Sequence, residues 1–256
     1  MGCYPGCAAL SEHDALVELL SAPAPTVAPR LLGWRLTTDD PDGTVTVVLT
    51  EVEAYHGADD PASHAYRGPT RRNAAMFGPP GRLYVYLSHG LHLCANVVCG
   101  PEGVASAVLL RAGRVVAGQD VADRRREHPA VGRAPRAPVA NAALARGPGS
   151  LGRALGLRTE DDGGSLLAAG SRLLLRPPVA EDVAVPVAAG PRVGVSTAAD
   201  RPWRHWLRDD PTVSVYRRSP RAPAAGSSRE VPGTPAGTPP GTSPGTPPGT
   251  PPGSPP

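Results

Sequence analysis

Lysine is absent from this 256-residue chain: all 26 basic side chains are arginine. That absence excludes any mechanism needing a side-chain amine to form a Schiff base. Aromatic residues are scarce, with 6 Tyr, 3 Trp and 1 Phe. The four cysteines, Cys3, Cys7, Cys94 and Cys99, are too few for a disulfide scaffold in so long a chain. No apolar run approaches the ~20 residues that span a bilayer. The start of the chain has neither the basic stretch nor the apolar segment of a secretory signal. It is no myristoylation match either, because Gly6 stands where Ser or Thr is required. No membrane partner is expected, and a cytoplasmic setting is the default. His89, His92, Cys94 and Cys99 crowd together in an apolar, strand-like run. Cysteine in such a run is ordinarily a small core residue, so no metal site is expected.

Glycine and proline are abundant, at 30 and 33 residues, and 11 of the last 26 residues are proline. Repeated Pro-Gly-Thr-Pro units cannot build a core, so residues 219–256 read as a disordered tail. The remaining ~218 residues suffice for one core that buries roughly 70% of the unfolded surface. Residues 1–22 read as an N-terminal extension with a short helix from Ser11, ended by Pro23 and Pro25. Residues 23–218 read as a single domain. Strands are expected over 44–55, 82–87, 91–98, 104–111, 173–175 and 191–195, and short helices over 28–34 and 150–157. Residues 116–145 mix helix and loop. Strands follow one another locally, which favours an α+β fold over a doubly wound sheet.

The strand over 45–55 changes character along its length. Val45, Val47 and Leu49 give way at the same spacing to Glu51, Glu53 and Tyr55. With a period of two, both carboxylates and the tyrosine share one face. Such a face belongs either to a strand emerging into a cleft or to a strand end reaching solvent. From Pro61 to Pro101 there is no acidic residue, whereas Arg67, Arg71, Arg72, Arg82, His64, His89 and His92 all fall there. Four of the six tyrosines lie between 55 and 86. Arginine interleaved with aromatic rings suits an anionic ligand with flat bases, that is, nucleic acid. The same alternation of Tyr84 and Tyr86 with Leu83 and Val85 also suits an ordinary half-buried sheet.

Glu51-Val-Glu-Ala-Tyr55, His64, Thr70-Arg-Arg-Asn73, Met76-Phe77, Pro80-Gly81 and Leu83-Tyr-Val-Tyr86 follow in order. Asn96, Leu109-Leu-Arg111 and Arg192-Val-Gly-Val195 come after them. This series resembles the 3-methyladenine (alkylpurine) DNA glycosylases of the alkyladenine type, from about residue 29 to 216. The resemblance implies a curved, mainly antiparallel sheet flanked by helices, with a protruding β-hairpin that inserts into DNA. It implies an enzyme that flips a damaged purine from the duplex and hydrolyses its N-glycosidic bond.

By the same resemblance, Glu53 is the base that activates water against the sugar C1′, and must be ionised to do so. Arg111 helps to hold that water, and the Val193 backbone carbonyl completes its cradle. Tyr55, His64 and Tyr86 contact the extruded base, for which cationic purines gain most from aromatic faces. Asn96 crowds the 2-amino group of guanine, so selectivity arises partly by clash. His89 stands at the hairpin tip, where relatives typically place a tyrosine wedge. Arg72 is the best candidate for a phosphate contact, with Arg71, Arg67 and Arg82 as further DNA-binding candidates. Ser150 in Gly147-Pro-Gly-Ser-Leu151 replaces a lysine common in relatives, which removes one phosphate contact. Glu51 has no assigned role. The implied partner is double-stranded DNA containing damaged purines, acted on by a monomer without cofactor, associated with a bacterial nucleoid through that DNA. The missing lysine adds that the abasic site is left uncut. Two other readings are a non-catalytic damaged-DNA-binding protein and a sugar hydrolase pairing Glu51 with Glu53.

Overall fold

Valine, threonine and leucine fill the segment Val45–His56, and it forms one twelve-residue strand about which the sheet is arranged. The structure, a computed structural model, describes residues 12–127, 139–182 and 185–224. Cys3 and Cys7, residues 128–138 of the Arg/Ala-rich stretch, and the Pro-rich tail from 225 onward lie outside the described residues. In chain order the elements are α1 (Glu12–Leu20), α2 (Ala24–Val27), β1 (Arg35–Thr38), β2 (Val45–His56), β3 (Leu83–Ser88) and β4 (His92–Val98). There follow β5 (Ser106–Ala117), α3 (Gln119–Glu127), α4 (Asn141–Leu144), α5 (Pro148–Ala154), β6 (Leu173–Arg176), β7 (Val187–Gly190) and β8 (Arg204–Leu207). Among the described residues no helix is long and apolar enough to cross a membrane.

The strand order β3-β4-β5-β2-β1-β6 is antiparallel throughout, with β8 paired to β2 and β7 to β8. The α+β expectation matches this curled sheet with its few short helices. β5 lines one edge of β2 along most of its length. The other edge is shared, pairing with β1 at 45–48 and with β8 at 51–53. The first half of β2 thus belongs to one flank of the sheet and the carboxylate half to another.

Two register shifts divide those halves, one between Leu49 and Glu51 and one between Glu51 and Val52, leaving Thr50 and Arg111 as the extra residues. Each extra residue turns the side chains that follow onto the opposite face. Val45, Val47 and Leu49 therefore enter the main core together with Val52 and Ala54, although their spacing is out of phase. Glu51, Glu53 and Tyr55 share a face, as their period requires, but it is not the face that carries Val45 to Leu49. Gly113 sits opposite Leu49 at this switch, and a Cβ there would lie 2.4 Å from the Val47 side chain. Only glycine lets β5 approach so closely.

Leu16 and Leu20 of α1 share the core with Leu31, Leu36, Leu83, Val97, Leu110, Leu151 and Leu175. Each such side chain contributes about 1.5–3 kcal/mol on burial. Residues 191–195, expected as a strand, are a loop instead. Pro191 has no N–H for a ladder, and Gly194 has a φ of 72°. The strand falls just before, at β7, while β1 and β8, each four residues long, had given no signal in the sequence.

Candidate active site

The carboxylate end of β2, the facing part of β5 and the loop after β7 converge on Glu53. Its side chain is fully buried. The Val193 backbone N–H donates to Oε1 at 2.6 Å, and the Tyr55 hydroxyl donates to Oε2 at 2.9 Å. Arg111 adds a longer contact from Nη1 to Oε2, 3.3 Å. It is the amide of Val193, rather than its carbonyl, that touches the carboxylate.

Arg192 sets the position of that amide. Its guanidinium makes a bidentate pair with Asp60, at 2.5 and 2.8 Å, and donates to the Ala54 carbonyl at 3.0 Å. Both side chains are fully buried. The guanidinium also lies over the rings of Tyr55 and Trp203, 4.7 and 5.2 Å from their centroids. A planar, always-charged group suits this place, because it can pair on its edge and stack on its face together.

Glu51 is equally buried and more heavily bonded. It accepts from Arg111 Nε and Arg204 Nε, each at 2.7 Å, and from the N–H and hydroxyl of Ser214 at 2.7 and 2.9 Å. Burial pushes its pKa up, but the Arg111 and Arg204 charges and the Ser214 N–H outweigh that and hold it below the usual glutamate value. A carboxylate held ionised in this way cannot serve as a proton donor, which disfavours a sugar hydrolase pairing Glu51 with Glu53 as acid and base. Burial alone would lower the pKa of Arg111, yet Glu53 and Glu51 raise it above the ordinary value. The chain segment carrying Ser214 is pinned to β2 and to the loop after β7: Thr212 bonds Thr50 at 2.6 Å, and the Arg217 carbonyl accepts from Gly194 N–H at 2.9 Å.

Beside Glu53 a cavity of about 310 Å3 opens. Tyr55, His64, Tyr86 and Asn96 all line it, together with Met76, Tyr84 and the loop Gly194–Thr197. This volume stands near the lower bound, ~300 Å3, of small-ligand pockets. Glu53 lies behind the wall, reached through Tyr55 and the Val193–Gly194 peptide. His64 meets the Tyr86 ring edge-on at a centroid distance of 4.6 Å, and its Nδ1 lies 3.0 Å from the Tyr84 hydroxyl. Partial burial, then the nearby Arg72 charge, lower the pKa of His64 and favour its neutral form. The Tyr84 hydroxyl is pushed up to about 12 by burial. Asn96, near the middle of β4, donates from Nδ2 to the Tyr84 carbonyl at 3.0 Å.

β3 and β4 form a hairpin whose tip residues, His89 and Gly90, both have positive φ, 50° and 66°. The Ser88 carbonyl closes the turn by accepting from Leu91 N–H at 2.9 Å. His89 is exposed, between the exposed Leu87 and Leu91. Arg67, Arg71 and Arg72 are exposed, and Arg72 donates to the Leu87 carbonyl at 3.3 Å, which holds it near the tip. Arg82 stands apart. It precedes β3, at the end opposite the tip, and donates to the Gly163 carbonyl at 2.5 Å.

Asp60, Arg192, Arg204 and Ser214 join the site without having been singled out in the sequence for it. Asp60 carries a faint signal, as the last acid before the acid-free run. Arg204 and Ser214 carry none, since their partner Glu51 lies 153 and 163 residues away.

Residues 18–211 match the family model described as methylpurine-DNA glycosylase. A Nocardia farcinica protein is 54% identical over 220 residues, covering 83% of this chain and 96% of its own length. A relative from Mycobacterium sp. (strain KMS) is 52% identical over 217 residues, covering 83% and 98%. One from Mycolicibacterium fortuitum is 56% identical over 208 residues, covering 78% and 97%. All three bear the name "Putative 3-methyladenine DNA glycosylase". With a family match over most of its length and relatives more than half identical, the chain belongs to the methylpurine-DNA glycosylase family.

Proposed function

We propose that this protein is a monofunctional DNA glycosylase that flips an alkylated or deaminated purine from the duplex and hydrolyses its N-glycosidic bond, leaving an abasic site for base excision repair. The observation carrying this reading is Glu53: a buried carboxylate, bonded by Val193 N–H, Tyr55 and Arg111, directly behind a nucleobase-sized cavity. In the reaction Glu53 takes a proton from water as the water oxygen bonds to C1′, and the C1′–N bond electrons leave with the purine. An alkylated purine that is already cationic departs neutral. Arg111 and the Val193 carbonyl orient the water. Tyr55, His64 and Tyr86 receive the base, and Asn96 limits what may sit at the purine 2-position.

Outside the pocket, His89 follows the base's path and fills the gap in the stack, at the cost of a smaller, titratable ring. Arg72, Arg71 and Arg67 hold phosphates near the hairpin, and Arg82, already bonded to Gly163, contributes least. With no lysine in the chain, strand nicking has no side-chain amine to proceed through.

The test uses a labelled duplex with one hypoxanthine or ethenoadenine, with wild-type protein and Glu53→Gln. Strand breaks seen only after hot alkali, and lost in Glu53→Gln, are expected. Breaks without alkali would overturn the monofunctional reading. Salt-sensitive binding without cleavage of any lesion would favour a non-catalytic damaged-DNA-binding protein.

A further inference from the structure

Glu51 is left without a part in that chemistry, although it is the most heavily bonded acid at the site. Arg111 grips Glu51 through Nε at 2.7 Å but reaches Glu53 only through Nη1 at 3.3 Å. Its short contact is therefore with the acid that does no chemistry. Arg111, Arg204, Glu51 and Glu53 form a neutral group of two guanidiniums and two carboxylates, none more than 8% exposed. Solvent and salt screen an imbalance in such a group only weakly.

Glu53 receives three donors on about four lone-pair sites, which leaves one acceptor direction for a water proton. A guanidinium free to close on Glu53 in bidentate fashion would take that direction.

We infer that Glu51 is a positioning residue: it holds Arg111 back through Nε and offsets its charge, so that Glu53 keeps one free acceptor site facing the attacking water. This rests on Glu53 acting as the base. Arg204 belongs to the same balance, since it pairs with Glu51 and sits opposite Glu53 in the β2–β8 ladder. The remaining ionisable groups facing Glu53 are already accounted for. Burial keeps Tyr55 and Tyr86 protonated, and Asp60 neutralises Arg192.

The experiment is a single-turnover pH–rate profile on a duplex carrying one 3-methyladenine, whose cationic base needs no proton to leave and has no 2-amino group to meet Asn96, so that the acid limb reports the base alone. Glu51→Gln keeps the shape and an acceptor oxygen but leaves one surplus positive charge. Its acid limb is expected about one pH unit lower, with a slower plateau. Arg204→Gln leaves a surplus negative charge, and its limb moves to higher pH. The double variant restores neutrality and returns the limb to the wild-type position.

Thermal unfolding of each variant checks that it folds. Should Glu51→Gln fail that check, Arg204→Gln reads the same balance from the other side. Single variants that lose rate with the limb unmoved, and a double variant slower than both, would make Glu51 a purely structural anchor and overturn the inference. Glu53→Gln run alongside separates the two claims. If it retains the wild-type rate, the reading of Glu53 as base fails. If it is inactive while the limbs stay fixed, only the positioning role fails.

Discussion

Two arginine–carboxylate clusters, each centred on a buried acid, invite comparison, because they use the same side chains for different ends. At the β1–β2 turn, Asp40 is contacted by Arg125 at 3.2 Å, Arg158 at 2.9 Å and Arg172 at 2.6 Å. Asp42 and Asp161 close the cluster through Arg125 at 2.7 Å and Arg172 at 2.6 Å. Three acids and three guanidiniums satisfy one another, binding the turn to α3 and to the residues between α5 and β6. At the end of β2, Glu51 accepts four hydrogen bonds and Glu53 three, and Tyr55, one of the donors to Glu53, lines a cavity. A buried charge cluster marks a site where one member keeps an unfilled acceptor next to empty space. Charge and burial without that opening make a staple.

The largest expected effect tests this contrast directly. Glu53→Gln should lower the single-turnover rate by about 10²–10⁴-fold in protein that is still folded by its urea transition. Asp40→Asn should do the reverse, costing about 1–3 kcal/mol of stability by removing the buried acid that three guanidiniums share, with the folded fraction still active. Loss of catalysis in fully folded Asp40→Asn would erase the distinction.

Asp60→Asn should show both effects together. It strands the Arg192 charge, at a cost of about 3 kcal/mol or more. It should also slow cleavage, because Arg192 carries the Val193 amide to Glu53. Denaturation and cleavage measured on one preparation check this.

Acid stability gives a smaller effect. Glu51 has a folded pKa below its ordinary value of 4.5, so its stabilising contribution is complete above that value and lost as pH falls through the folded pKa. Melting temperature followed into the acid range should fall less steeply in Glu51→Gln than in wild type. The smallest effect concerns DNA binding. Arg72→Gln should reduce the slope of log affinity against log salt by about 1. Arg158→Gln, already paired with Asp40, should leave it unchanged.

Much of the pocket was legible because its determinants are local. The Glu51, Glu53, Tyr55 spacing puts three side chains on one face whatever the sheet around them. Ser88-His89-Gly90 between two alternating runs calls for a hairpin, and His64, Tyr86 and Asn96 reach the cavity from elements that the patterns had located. The face switch in β2 was not legible. A bulge arises from how two strands settle against each other, and its one trace in the chain is Gly113. β8 was missed because Arg204-His205-Trp206-Leu207 is too short and mixed to show a clear period. Arg82 read as one more member of a basic run, and only the bridge to Ser165 and its bond to Gly163 set it apart.

Composition and local order by themselves determined that no side-chain amine is available, that strands predominate, and which carboxylates and rings lie near one another along β2. The tertiary structure alone decided which partners each carboxylate meets. Glu51 and Glu53 are the same residue two positions apart, and nothing in their neighbours along the chain distinguishes them. Arg204 and Ser214 arrive from over 150 residues away and, with Arg111, give Glu51 four donors. Glu53, beside a cavity, is met instead by a backbone amide, a tyrosine and the longer Arg111 contact.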